Sequence, residues 1–356
     1  MGKRPTMTVL ETLDLFGIFG AVLLAAVSAL VKGVFGRGPQ DEKSLYLYVC
    51  YAATRKMLSR CSAAQIQFIC PPTETAYENH AKMFQMTPRS VDLPHDVRGF
   101  WFGDPNAEHV LIWYHGGGFT MPGPEGHFKF LMNYIKTRPS NKPSLSILFP
   151  DYSLSPQAQY PTQLTQAVET LRYLITTTKR SPSKIMIAGD SSGGNLVMGV
   201  LSHLKHPHKA IDELILTEPL AAAMMMGPWL ALNDPDPILA GYSGRDSMTE
   251  LSLVHWSRDY MGSATPDPYT DPSCAPAEWF RGVPVHKMFV MVGSNEYLLP
   301  CIDDFVKKLE AGYGPVEYYV ADKEVHDAPF VNLLYHCWAP TGQGTKLKDW
   351  IEGVIA

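Results

Sequence analysis

The chain has 356 residues, with 30 Lys and Arg against 35 Asp and Glu and 46% apolar residues. This composition excludes collagen-like and disordered chains, and a net charge of −5 gives no electrostatic reason to bind nucleic acid or an anionic membrane surface. The length exceeds the roughly 250–300 residues that one compact core fills, so one large domain with an accessory segment is expected.

Near the N-terminus, Leu15–Val31 is a seventeen-residue run without a charge, at the lower limit for spanning a bilayer. Snorkelling of Lys32 extends it through Val34 and Phe35. Glu11 and Asp14 precede it, unlike the basic leader of a secretory signal, so an uncleaved membrane anchor is the expectation. A cleaved signal and a soluble amphipathic helix are the alternatives. Lys3 and Arg4 on one side and Lys32 and Arg37 on the other leave the direction of insertion open.

Gly36–Glu42 reads as a linker, and Ser44 to about His80 carries helical spacing, with one helix from Leu45 to Met57. From about residue 90 short apolar runs alternate with helical stretches. Val110–His115, Ser146–Phe149, Ile185–Gly189, Met288–Val292 and Val316–Val320 read as strands. Leu164–Thr177, Leu196–Leu204 and Asp303–Gly312 read as helices. Met224–Met226, Pro228 and Trp229 form an apolar run placed after a strand. This rhythm predicts an α/β fold, a mostly parallel sheet with helices on both faces. Residues about 230–280, rich in proline and holding a helix near Thr249–Met261, break the rhythm as an insertion over the carboxyl edge of the sheet. The expected division is anchor and linker over 1–40, a cap-contributing region over 41–100, and a catalytic domain over 101–356.

The strongest chemical signal is Gly189-Asp190-Ser191-Ser192-Gly193-Gly194-Asn195, a G-x-S-x-G between a strand and a helix. A serine on such a turn takes strained backbone geometry, and glycines two places either side remove clashing side chains. The helix start behind it favours developing negative charge. Upstream, His115-Gly116-Gly117-Gly118 follows the first strong strand, and glycine N–H groups can approach a carbonyl oxygen unobstructed. The amides of Gly117, Gly118 and Ser192 are therefore candidate oxyanion donors. Phe119 and Trp229 are candidates for contact with substrate.

A nucleophilic serine needs a base, and the base an orienting carboxylate. Glu296 stands just beyond the Met288–Val292 strand, and His326 lies in the loop after Val316–Val320, thirty residues later. Ser191, Glu296, His326 is the order this chemistry takes on a parallel sheet. Asp303 and Asp304 compete for the acid role but fall at a helix start. His203, His206 and His208 are joined by no carboxylate or cysteine and read as a basic helix end, not a metal cluster. The six cysteines show no C-x-x-C spacing; free, buried thiols are the expectation, and an oxidising compartment would allow one or two bridges. No metal or cofactor is called for.

These motifs resemble the hormone-sensitive-lipase type of α/β-hydrolase over about residues 110–352. His115–Gly118 matches that family's oxyanion motif and Gly189–Asn195 its G-D-S-x-G-G-N elbow, with Ser192 in the usual Ala place. Asp151–Pro156 resembles its D-Y-R-L-A-P segment with Ser153 for Arg, and Glu296-Tyr297-Leu298 its D-P-L segment with Glu for Asp. The segments Tyr114–His127, Ala158–Pro161 and Leu201–Leu204 look most like the fungal steryl-acetate deacetylases. The N-terminal run is similar to the anchor of microsomal arylacetamide deacetylases. The resemblance implies an α/β-hydrolase fold with a helical cap, and hydrolysis of a short-acyl ester of a hydrophobic alcohol such as a sterol or secondary metabolite. It also implies a single-pass placement in the endoplasmic reticulum membrane. A homodimer is compatible with it. An amidase, lactonase or non-hydrolytic rearrangement enzyme of secondary metabolism is the alternative. A non-catalytic ligand receptor is a more distant one, because such members lose the histidine kept here as His326.

Overall fold

The computed structural model describes residues 6–232 and 244–356. Four helices lead: α1 (Val9–Phe35), α2 (Leu45–Leu58), α3 (Ala63–Ile69) and α4 (Thr73–Met83). The first three begin at hydroxyl caps, where Thr8, Ser44 and Ser62 accept from backbone N–H groups in the first turn. Glu11 and Gln65 reach back to close capping boxes. By length and composition α1 could cross a membrane.

The sheet has eight strands: β1 (Arg89–Leu93), β2 (Val97–Phe102), β3 (His109–Tyr114), β4 (Leu145–Asp151), β5 (Ile185–Asp190), β6 (Ala222–Met226), β7 (Met288–Gly293) and β8 (Glu317–Ala321). Their spatial order is β1-β2-β4-β3-β5-β6-β7-β8. Only β2 runs antiparallel to its neighbours, and all later pairs are parallel. Between and after the strands lie α5 (Glu125–Thr137), α6 (Thr162–Arg172), α7 (Ser192–Lys205), α8 (Glu250–Met261), α9 (Leu299–Gly312), α10 (Ala328–Leu334) and α11 (Gly342–Ile355).

Every residue of β3, β5, β6 and β7 is buried, as expected of strands covered on both faces. The two-residue period divides the core. Val110, Ile112 and Tyr114 pack with Leu164, Leu196 and Phe305 of α6, α7 and α9. Leu111 and Trp113 pack with Phe128 and Trp350 of α5 and α11.

Three details depart from the reading of the sequence. The β1–β2 hairpin was not expected there, because β1 is largely exposed and lacks an apolar run. Its turn holds His95 and Asp96, both at φ +59°. The sheet therefore begins at Arg89, and the boundary expected at residue 101 falls inside β2. The run Met224–Met226 does not follow a strand; it is the end of β6 itself. The helix expected over Leu164–Thr177 stays α-helical only to Arg172 and continues as a π-turn over Tyr173–Thr177. There Thr176 and Thr178 turn their hydroxyls back onto the carbonyls of Arg172 and Leu174, which loosens the α ladder.

Three helices lie over the carboxyl edge of the sheet. In α2, Leu47 and Tyr51 pack on Val325 and Ala328, and Tyr51 donates to Asn332 Oδ1. In α3, Gln67 Nε2 donates to the carbonyls of Thr120 and Ser155, each at 2.9 Å. Of the expected 230–280 insertion, residues 233–243 lie outside the described residues. The remainder forms α8 and two short 3₁₀ turns, Pro272–Cys274 and Ala277–Phe280.

Candidate active site

The elbow is built by close approach of backbone. Ser191 sits between β5 and α7 at φ +51° and ψ −118°, a conformation that costs a non-glycine residue of order 1–3 kcal/mol. A Cβ on Gly193 would lie 1.9 Å from the Tyr114 carbonyl oxygen, and one on Gly189 would lie 2.4 Å from the Gly193 backbone. No side chain fits at either position, which is why glycines flank the serine. The strained turn is held on both sides: Ser191 N–H donates to Met226 O, and Ser191 O accepts from Trp229 N–H at 3.0 Å. Asn195, one turn into α7, donates to the carbonyls of Trp229 and Thr270.

The loop after β3 meets the elbow through Asp190. Its Oδ2 accepts from Gly116 N–H at 2.9 Å and lies 2.8 Å from His127 Nε2, and its Oδ1 accepts from Trp113 Nε1–H. Burial opposes the charge, yet His127 and these donors hold the Asp190 carboxyl below its ordinary range. Gly117 at φ +106° and Gly118 at φ +62° turn the chain there. A Cβ on Gly118 would lie 2.2 Å from the Trp256 ring, so α8 closes directly onto the glycine loop. Among the described residues the N–H groups of Gly117, Gly118 and Ser192 donate to no protein acceptor. Backbone N–H groups without a partner are rare in a protein interior, and these three, two on the glycine loop and one at the start of α7, could receive an oxyanion.

Glu296 and His326 meet beyond β7 and β8. Glu296 Oε2 lies 2.8 Å from His326 Nδ1, and Oε1 accepts from Gly293 N–H at 2.5 Å. Asp303 is turned elsewhere, accepting from the Tyr318 hydroxyl. Burial pushes the Glu296 carboxyl up, against the pull of the imidazole. Gly227, at φ +46°, packs against the pair: a Cβ there would lie 2.6 Å from Glu296 Oε2 and 2.9 Å from His326 Nδ1. The second imidazole nitrogen, Nε2, lies 3.1 Å from Asp327 Oδ2. Burial works against the imidazolium, but Asp327 and Glu296 outweigh it and push His326 up to about 10. Among the described residues no hydrogen bond joins Ser191 to His326.

Several residues here were not visible in the sequence. Asp246 accepts from His326 N–H at 2.9 Å and from Tyr297 N–H at 2.7 Å, so one fully buried carboxylate clamps the histidine loop and the acid loop together. It is a single aspartate in a proline-rich insertion, with no motif around it. Trp256 and Asp327 were likewise not singled out, although Asp327 adjoins the histidine. The two aromatic candidates separate. Trp229 lines a cavity of about 660 Å³ with Leu232, Leu253, Tyr297 and Phe305. Phe119 does not; it is buried and stacked on Tyr260 at 3.7 Å. His203, His206 and His208 are engaged by the Asp212 carbonyl, the Trp279 carbonyl and the Tyr160 hydroxyl. Among the described residues no cluster of metal-ligating side chains exists, and no disulfide joins the cysteines.

Sheet order, elbow and glycine loop define a class: the chain belongs to the α/β-hydrolase-fold family whose sequence model matches residues 111–330. Within that class it is similar to Steryl acetyl hydrolase 1 of Saccharomyces cerevisiae, at 32% identity over 34% of this chain and 28% of that protein. It is also similar to human Arylacetamide deacetylase-like 2, at 30% identity over 42% of this chain and 38% of that protein. The matched segments thus span well under half of these relatives. A solved esterase from the bacterial hormone-sensitive lipase family shares the fold over 94% of this chain and 97% of its own, with a TM-score of 0.61 at 18% identity.

Proposed function

We propose that the protein is a serine carboxylesterase that removes a short acyl group from a hydrophobic alcohol through an acyl-enzyme. The observation that carries this reading is the strained Ser191 beside three unengaged N–H groups, with the Glu296–His326 pair in the loops beyond β7 and β8 at the same edge of the sheet. In this mechanism His326 Nε2 takes the proton of Ser191 Oγ as that oxygen attacks the ester carbonyl. The amides of Gly117, Gly118 and Ser192 receive the resulting oxyanion. His326 then returns the proton to the departing alcohol, and a water repeats the sequence to release the acid. Glu296 fixes the tautomer with Nε2 free.

For the first step Nε2 must exchange Asp327 for Ser191 Oγ, so the arrangement seen is a resting one. The cavity beside Trp229, within the roughly 300–1,000 Å³ typical of small-molecule sites and walled mainly by apolar residues, reaches Tyr297 next to Glu296 but is lined by neither Ser191 nor His326. The names of the similar proteins, a steryl acetyl hydrolase and an arylacetamide deacetylase-like protein, support an acetyl ester of an apolar alcohol. Attachment to a membrane through α1 belongs to the same reading, because it would bring the site to where such esters partition.

Purified protein assayed on p-nitrophenyl acetate, butyrate and octanoate tests this. Acetate is expected to be turned over fastest. Absence of hydrolysis across the series, with the fold intact, would defeat the proposal.

A further inference from the structure

A helix that packs on a protein normally turns its large apolar side chains inward. In α1 most of them face outward. The buried residues are Leu15 and Ile18 near the start and Ala29 and Gly33 near the end, with only part-buried Ala21, Val22, Ala25 and Ala26 between, so the inward face narrows to small residues toward its end. A Cβ on Gly33 would lie 2.5 Å from Leu45 and 3.3 Å from Tyr48, so α2 rests against the α1 backbone. The bulky residues lie on the outer side: Phe16, Phe19, Leu23, Leu24, Val31 and Phe35 are at least half exposed, Phe35 at 88%. Exposed apolar surface of this extent, unbroken from one end of a 27-residue helix to the other, is foreign to a soluble surface.

The charges are sorted in the same way. Glu11 and Asp14, the only acids of α1, both hydrogen-bond to α3, although Asp14 keeps its side chain about half exposed. Glu11 accepts from Ser62 Oγ at 2.9 Å, Gln65 Nε2 donates to the Glu11 carbonyl, and Arg60 pairs with Asp14. At the other end Arg37 donates to the carbonyls of Gly33 and Lys43. Both ends of α1 are therefore tied to the same body, the N-terminal end to α3 and the C-terminal end to the start of α2. A spanning helix would place these ends on opposite sides of roughly 30 Å of hydrocarbon, and α3 would have to lose its contacts to Glu11 and Asp14. Exposed Lys32 and Lys43 near one end, with Lys56 on α2, can reach phosphate headgroups from a helix lying flat.

We propose that α1 is an in-plane membrane anchor, seated along one leaflet on the same side of the bilayer as the catalytic domain. This rests on the membrane attachment proposed above and replaces the single-pass arrangement expected from the sequence. The occupant of the outer face is lipid rather than a second copy of the chain. That face has no charged residue between Asp14 and Lys32, whereas protein interfaces keep a polar rim. Because α2 covers the His326 loop and α3 the loop after the glycines, the anchor and the cap form one layer. The membrane plane then lies against the roof of the site.

The test uses the full chain with one short epitope before Met1 and another after Ala356, expressed in cells and recovered in sealed microsomes. The expected result is that both epitopes remain with the membrane after alkaline carbonate washing and share one fate under external protease, both cut or both protected. Opposite fates would show a span and overturn the in-plane arrangement while leaving membrane attachment standing. Loss of the first epitope from the mature chain would show a cleaved signal and overturn it as well. Release without detergent, as monomer or dimer, would overturn the membrane reading altogether. In a second arm, the combined variant Phe16→Asp, Leu23→Asp, Val27→Asp should move most of the protein to the supernatant and keep turnover of a water-soluble ester. Undiminished membrane binding of that variant would also contradict the proposal.

Discussion

Two histidine loops stand at the carboxyl edge of the sheet, after β3 and after β8, and both imidazoles are buried. His115 is stacked between Phe149 and Tyr152, at 5.2 and 4.2 Å, and Nδ1 meets the Gly116 carbonyl. With burial dominant, it is pushed down to about 4 and stays neutral. His326 lies between two carboxylates, Glu296 at 2.8 Å and Asp327 at 3.1 Å, and is pushed up to about 10. Equal burial accompanies opposite shifts. What stands against the ring nitrogens decides which histidine is fit to exchange protons and which is fit to prop a loop.

Removing the orienting carboxylate should break the comparison most severely. Glu296→Gln is expected to lower kcat by about 10⁴ while circular dichroism and thermal melting show a retained fold. Asp303→Asn is expected to be mild. The reverse ranking would reassign the acid. Next is Asp246→Ala, which deletes two charge-assisted hydrogen bonds to the backbone of the triad loops, each worth about 1.5–3 kcal/mol. A loss of kcat of about ten- to a hundredfold with little change in KM is expected, together with a lowered melting temperature.

Asp327→Asn sharpens the comparison instead of abolishing it. A base must be neutral to accept a proton; the Asp327 carboxyl, itself pushed well above its ordinary range by burial, favours the imidazolium whenever it is ionised. Its removal should move the acid limb of the kcat/KM profile to lower pH, by about one to three pH units. An unmoved limb would mean that Asp327 does not face the working base. The smallest effect is expected from His115→Gln, which loses ring stacking worth about 0.5–1.5 kcal/mol and leaves the acid limb in place.

Much of this architecture was legible because strong local signals coincide with it. Parallel strands buried on both faces read as continuous apolar runs, and VLIWY before a glycine cluster can hardly be anything else. Ser191, Glu296 and His326 each lie just beyond a strand whose existence its apolar residues reveal, which places them at the carboxyl edge of the sheet. Asp246 was invisible because its role depends on two loops that are distant from it in sequence and carry no pattern of their own. Trp256 reads in sequence as one apolar position of an amphipathic helix; only the tertiary fold sets it on Gly118. The same limit applies to α1. Hydropathy shows that the helix suits lipid, but which residues dock inward depends on α2 and α3.

Reaction with a fluorophosphonate ester tests the central claim most directly, because it reports the nucleophile without needing the natural substrate. After incubation with a slight excess of probe, the intact protein should gain one adduct. Peptide mapping should place it on Ser191, and Ser191→Ala should gain none. A full-strength adduct in Ser191→Ala, or one mapped to another serine of the wild-type chain, would contradict the assignment of the elbow as the reacting centre.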